Sequence, residues 1–337
     1  MSFATRCRRL AAVVVIIAAC AISLTSPRAA AANDYPTRII TLVVPFAAGG
    51  PSDVIARLLA HSMSQTLGQQ VIVENVAGAG GTVGAARVAR AAPDGYTLLI
   101  HHLALTAAPS LYSNLSYDAR TAFTPLGLVN TGPMVLVGRK TLAAQTAQEL
   151  IRYFRAEGDK ITMAHAGVGS NAHLCAILLT QAIGVKQVYV PYNGTGPAMN
   201  DLVTGQVDAL CDQSTTAVPQ ITSGTVRGYI VTSSAPIDAI KEVETAPAAG
   251  LPAFDMAIWH GLYAPKDTPP AIVDKLNSAL AVALADPLVV ERFKAVGTAP
   301  FPTSEWSPQA HKARLLAEIE RWGRLLKTAG VTPATAR

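Results

Sequence analysis

Ile39-Ile40-Thr41-Leu42-Val43-Val44-Pro45-Phe46-Ala47-Ala48-Gly49-Gly50-Pro51-Ser52-Asp53 is the stretch from which the fold is read. Ile39 to Val44 is a run rich in β-branched residues and apolar but for Thr41, the pattern of a buried strand. Pro45 closes it, small residues follow, and from Asp53 to Leu67 the apolar positions Ile55, Leu58, Leu59 and Met63 recur at helical spacing. Strand, glycine-rich loop and helix in that order make a βα unit of a parallel sheet. Ser52 or Asp53 is the expected N-cap, and the free N–H groups of the first helical turn form an anion site.

The unit repeats outward along the chain. Strands are read at Val71–Val73, Tyr96–Ile100, Met134–Val137, Ile161–Ala164, Gln187–Val190, Val207–Cys211 and Tyr229–Thr232. Helices are read at Thr82–Ala91, at Asn171–Ile183, at Pro197–Val203 and from a capping box, Thr146 with Glu149, through Phe154. The last third is helical, with Pro after the candidate caps Thr268, Asp286 and Ser307, and a terminal amphipathic helix from Pro308 to about Lys327. This is an α/β protein. No low-complexity linker divides it, so two lobes would have to exchange strands, and Met134–Val137 and His260–Pro265 are the candidate crossings.

Three more glycine loops sit between strand and helix: Gly78-Ala79-Gly80-Gly81-Thr82-Val83-Gly84, Gly167-Val168-Gly169-Ser170-Asn171-Ala172-His173 and Tyr192-Asn193-Gly194-Thr195-Gly196-Pro197. Four such loops converge at the carboxyl ends of the strands, where open α/β sheets bind ligands. None of the four contains Lys or Arg, so an anion there is held by backbone N–H groups, hydroxyls and helix dipoles. Asp53 would repel a bare carboxylate and is better suited to bracing its loop.

The second loop departs from the dinucleotide fingerprint G-x-G-x-x-G, so no nucleotide cofactor is expected. His165 and His173 lack metal-ligand spacing, and no metal is expected. A serine hydrolase using Ser170 with His165 or His173 is a competing reading, weakened by the absence of Gly-x-Ser-x-Gly and by the place of Ser170 just before a helix, the ordinary N-cap position.

At the N-terminus, Arg6, Arg8 and Arg9 precede an uncharged run from Leu10 to Thr25 and then Ala29 to Ala32, the layout of a secretory signal peptide over residues 1–32. Cleavage after Ala32 removes four of the 27 Lys and Arg and none of the 22 Asp and Glu, taking the net charge from +5 to about +1. The basic character leaves with the signal, and nucleic acid is excluded as a partner. Ile17-Ala18-Ala19-Cys20 resembles a lipobox, which makes a lipoprotein anchored through Cys20 the alternative. Cys7 leaves with the signal, and Cys175 and Cys211 are read as either a disulfide or two buried thiols.

Taken jointly, Val44-Pro45-Phe46-x-x-Gly49-Gly50-x-x-Asp53-x-x-Ala56-Arg57, Pro93-Asp94-Gly95-Tyr96-Thr97-Leu98-Leu99, Gly169-Ser170-x-x-His173-Leu174, Asp201-Leu202-x-x-Gly205-x-Val207-Asp208 and Gly261-Leu262-Tyr263-Ala264-Pro265 resemble the receptors of tripartite tricarboxylate transporters, the Bug or TctC-like family. The resemblance covers nearly all of the chain after the signal. It implies a two-lobed periplasmic-binding-protein fold of type II kind, each lobe a mostly parallel sheet flanked by helices, with residues 33–133 plus 256–337 as one lobe and 134–255 as the other.

It further implies a periplasmic, non-enzymatic and monomeric receptor that closes on a small organic acid without a cofactor and serves membrane permease subunits, or a sensor of the same fold. The ligand-binding positions expected from the loops and the resemblance are Phe46, Ala48, Gly49, Asp53, Gly80, Gly169, Ser170, Asn171, Gly194, Thr195 and Asp212. Ala48 and Ala77 replace a common Pro, Asn193 a common Lys, and Glu244 stands in a usual Val-Pro-Thr run. The loss of the Lys removes a positive charge near the mouth.

Overall fold

The computed structural model describes residues 34–333; the signal peptide and Cys20 lie outside them. From Ile40 the elements are β1 (Ile40–Val44), α1 (Pro51–Leu67), β2 (Val71–Asn75), α2 (Thr82–Ala89), β3 (Thr97–His102), α3 (Ala104–Leu111), β4 (Phe123–Arg139), α4 (Ala147–Glu157), β5 (Thr162–His165), α5 (Asn171–Ile183) and β6 (Val188–Pro191). There follow α6 (Thr195–Val203), β7 (Ala209–Gln213), α7 (Ser214–Thr222), β8 (Val226–Val231), β9 (Glu244–Thr245), β10 (Ala257–Pro265), α8 (Pro270–Ala285), α9 (Pro287–Ala295), β11 (Ala299–Pro300) and α10 (Pro308–Thr328).

Among the described residues the strands form one 11-stranded sheet in the order β2-β1-β3-β10-β4-β7-β5-β6, with β8 and β11 on β4 and β9 on β8. Its two ends are parallel, β2-β1-β3 and β7-β5-β6. Its centre is antiparallel, because β10 and β4 run against their neighbours. The mostly parallel sheets expected from sequence are therefore found at the ends and broken in the middle.

The 17-residue β4 joins the two halves. Phe123 to Pro133 pair with β10, and Met134 to Arg139 pair with β7 and β8. The expected crossing at Met134–Val137 is thus the far end of a longer strand. His260–Pro265 does not cross: it pairs with β3 and the near half of β4. The chain returns through Thr232 and Met256, whose backbones bond at 3.1 Å while the Thr232 N–H meets the Met134 carbonyl at 2.9 Å.

Local chemistry sets the element ends. In β1, Ile40, Leu42, Val43 and Val44 are fully buried, each contributing roughly 1.5–3 kcal/mol of apolar transfer. The helix α1 buries Ile55, Leu59 and Met63 on one stripe and ends at Gly68, which is left-handed at φ 67° and returns its N–H to Ser64. The expected caps Ser52 and Asp53 fall inside α1, whose N-cap is the extended Gly50 with no side-chain bond. Pro51 explains the earlier start, since at N1 its missing N–H costs nothing.

Thr268 likewise does not cap α8; Pro269 holds the cap position, and the Thr268 hydroxyl bonds the Pro265 carbonyl. Thr146, Ser170, Asp286 and Ser307 cap as expected. Cys175 and Cys211 are disulfide-bonded, tying α5 to β7.

Candidate functional site

The four glycine loops follow the carboxyl ends of β1, β2, β5 and β6, and they meet in pairs across the two sheet halves. The Ala47 N–H donates to the Asn193 carbonyl at 3.0 Å, joining the loop after β1 to the loop after β6. A Cβ placed on Gly194 would stand 2.8 Å from the Ala47 nitrogen, and one on Gly196 would stand 2.4 Å from the Ala48 carbonyl oxygen. The loop after β2 meets the loop after β5 in the same way, with Gly80 against Val168. Only residues without side chains permit backbones this close.

Between these contacts lies a small cavity of about 20 Å³, lined by Phe46, Ser52, Ser170, Asn171, Thr195, Asp212 and their neighbours. That is room for about one water. Five of the expected site residues, Phe46, Ser170, Asn171, Thr195 and Asp212, are brought together here. Ala48 and Gly49 instead line a larger neighbouring cavity of about 510 Å³, mostly apolar, in which Arg292 is the one charged lining residue. Thr195 borders both. Gly80, Gly169, Gly194 and Asp53 line neither; the glycines shape loops and contacts.

Each lining side chain has a local reason for its place. Ser170 caps α5, accepting from the His173 N–H at 3.2 Å, and its own proton has no protein acceptor among the described residues. That bond is to the His173 backbone, and the His173 ring Nδ1 is occupied by the Gly169 N–H. Ser170 therefore lacks a base in hydrogen-bond contact, and the hydrolase arrangement is not formed. Asn171 opens α5 with its side-chain amide buried and both Nδ2 and Oδ1 without a partner. Gln213 at the end of β7 leaves its Oε1 unpartnered too. Buried amide groups are nearly always satisfied, so this clustering of orphan atoms points to a polar solute. Phe46 stacks on His102, ring centroids 4.6 Å apart, which fixes its ring beside the cavity.

Asp212 is fully buried, and burial pushes its carboxyl up to about 6 although the Thr216 and Thr195 hydroxyls and the Gln213 N–H favour the ionised form. The carboxylate of Asp53 behaves oppositely. Burial alone would raise it, yet Arg57, the Gly49 N–H and Asn75 together hold it below its ordinary value. Those bonds, at 3.0, 3.1 and 3.0 Å, use its oxygens on the protein itself. Asn75 also donates to the Phe46 carbonyl at 3.0 Å, so Asp53 braces the loop after β1.

Among the residues that sequence reasoning missed are Ser52 and Gln213, which line the cavity, and His260 and Asn130, which lie behind Ser52. Ser52 Oγ lies 3.0 Å from His260 Nε2, and His260 Nδ1 lies 3.0 Å from Asn130 Oδ1. They come from α1, β10 and β4, and no local spacing connects them. The signal available was a histidine, His260, in the apolar run of β10, where burial demands a partner. Among the described residues no group of three or more His, Cys, Asp or Glu could hold a metal ion.

Two α/β halves sharing a central strand, with glycine loops closing over a buried cavity edged by polar side chains, define a two-lobed solute-binding protein. The chain belongs to the tripartite tricarboxylate transporter family of receptors, whose sequence profile matches residues 55–331. The periplasmic binding protein BugD is 46% identical and superposes with a TM-score of 0.87 over 89% of this chain and 100% of that one. MatC from Rhodopseudomonas palustris, solved with bound malate, is 41% identical with a TM-score of 0.84, covering 87% and 100%. A second R. palustris protein, solved with adipate, is 33% identical with a TM-score of 0.84, covering 89% and 100%.

Proposed function

We propose that this chain is a periplasmic receptor that captures a small organic carboxylate between two lobes, 33–133 plus 256–337 and 134–255, and delivers it to the permease subunits of a tripartite transporter. The observation that carries this reading is Asn171, a buried amide with two orphan atoms at a helix start, beside the Ser170 hydroxyl, which accepts from the His173 N–H and keeps its proton free. These groups and the N–H groups of the first turn of α5 suit a carboxylate in a cavity whose lining has no Lys or Arg. The malate and adipate held by the two relatives support the same ligand class.

The cavity is far smaller than the ~300 Å³ and upward typical of small-molecule sites, so entry requires the halves to part about Met134, Thr232 and Met256. Solute then shifts an open–closed population; no bond chemistry is required. The chain reaches the periplasm through its signal peptide and acts there as a monomer.

The test is a thermal-shift and calorimetric screen of mono- and dicarboxylates on the processed protein. One acid binds 1:1, and at 100 times its Kd it stabilises the fold by about 2.7 kcal/mol. Asn171→Ala weakens that acid at least tenfold while leaving the ligand-free melting temperature unchanged or raised. A complete carboxylate panel without a shift overturns the reading.

A further inference from the structure

A chain of four hydrogen bonds leads away from the cavity, and its far end fixes the direction of every member. The Thr298 hydroxyl donates to the Thr131 carbonyl at 2.7 Å, a group that can only accept. Thr298 Oγ1 therefore accepts from the Asn130 amide nitrogen, 2.7 Å away. That turns Asn130 Oδ1 toward His260, so His260 Nδ1 carries the proton and donates. Nε2 is then a bare acceptor, and the proton of Ser52 is committed to it at 3.0 Å. His260, Asn130 and Thr298 are all buried, and burial holds His260 neutral by lowering its pKa to about 3.

We infer that Ser52 presents only lone pairs to the cavity and that it selects solutes carrying a hydroxyl or amino donor beside the carboxylate. His260 and Asn130 are positioning residues that act through it. The two serines of the cavity have opposite polarity: Ser170 has its proton to give to a carboxylate oxygen, whereas Ser52 has only electrons to offer. An acid lacking a donor leaves Ser52 buried without its second partner, the kind of mismatch by which polar sites discriminate most strongly. This inference rests on the carboxylate-receptor reading and narrows its substrate class.

The test compares matched acids that differ in one donor: malate and aspartate against succinate, lactate against propionate, and 3-hydroxybutyrate against butyrate. The donor-bearing member of the bound pair binds at least tenfold tighter. In Ser52→Ala that ratio falls to about 1, and in Ser52→Thr it is restored. Equal affinity within the pairs in the native protein, or a ratio untouched by Ser52→Ala, overturns the inference while leaving the receptor reading intact. Absence of binding by every acid overturns the receptor reading itself. Nitrogen-15 NMR of the native His260 ring supplies an arm independent of any variant: a proton on Nδ1 is expected, and a proton on Nε2 defeats the relay.

Discussion

A Cβ on Gly80 would stand 1.8 Å from the carbonyl oxygen of Val168, so the loops after β2 and β5 touch backbone to backbone. Gly80 also sits in left-handed backbone at φ 62°, where an L side chain costs roughly 1–2 kcal/mol. The Tyr112 hydroxyl donates to the same Val168 carbonyl at 2.6 Å, which holds that oxygen in place. Gly80 therefore serves the approach of the two sheet halves rather than direct contact with solute.

Gly80→Ala consequently wedges the halves apart. The expected result is a tenfold or larger loss of solute affinity together with a radius of gyration, by small-angle scattering, that no longer shrinks when solute is added. A variant that contracts with solute as the native protein does would remove Gly80 from the closing contact.

How much of this could be read from residues alone depends on range. The β1–α1 stretch is legible because its period, its Pro and its glycines all act within fifteen residues. Ser170 is legible as a cap for the same reason. The first half of β4 escapes notice because Pro125, Gly127, Gly132 and Pro133 look like turn residues, yet the strand tolerates them with register shifts against β10. Helix α3 escapes because it contains Pro109 and carries no charged residue. The Ser52–His260–Asn130 relay joins positions 208 and 130 residues apart, and only the sheet order brings them together.

Asp53 carries a prediction about stability rather than recognition. Its oxygens are bonded to Arg57, Gly49 and Asn75, so Asp53→Ala removes the acceptor of three donors at the base of the loop. The ligand-free protein is expected to lose about 2 kcal/mol. Because the folded carboxyl is held below its ordinary value, its stabilisation is present at neutral pH and is lost as pH falls through that lowered value. Denaturant titrations at pH 7 and pH 3 should show the variant and native curves converging in acid.

The Cys175–Cys211 disulfide closes a loop of 36 residues in the unfolded chain. In the chain-entropy account this stabilises by about 3–4 kcal/mol. Replacing both cysteines by Ser should lower the denaturant midpoint by a corresponding amount, and dithiothreitol should do the same to the native protein but not to the double variant.

Asp212 makes the opposite pH prediction to Asp53. Its carboxyl is raised to about 6 in the folded protein by burial, against an ordinary value of 3.8, while the Thr195 and Thr216 hydroxyls and the Gln213 N–H only partly favour the ionised form. A group whose folded value is raised binds its proton more tightly when folded. Its favourable contribution is full below pH 4 and disappears as pH rises to 6 and beyond. Ionisation thus destabilises the ligand-free fold at neutral pH, by an amount on the order of 1–3 kcal/mol. Asp212→Asn, which cannot ionise, should melt higher than the native protein at pH 7.5 and no higher at pH 4, and its stability should lack the decline between them. A native protein whose stability rises steadily from pH 4 to 7 and runs parallel to the variant would mean that Asp212 keeps its charge at ordinary cost.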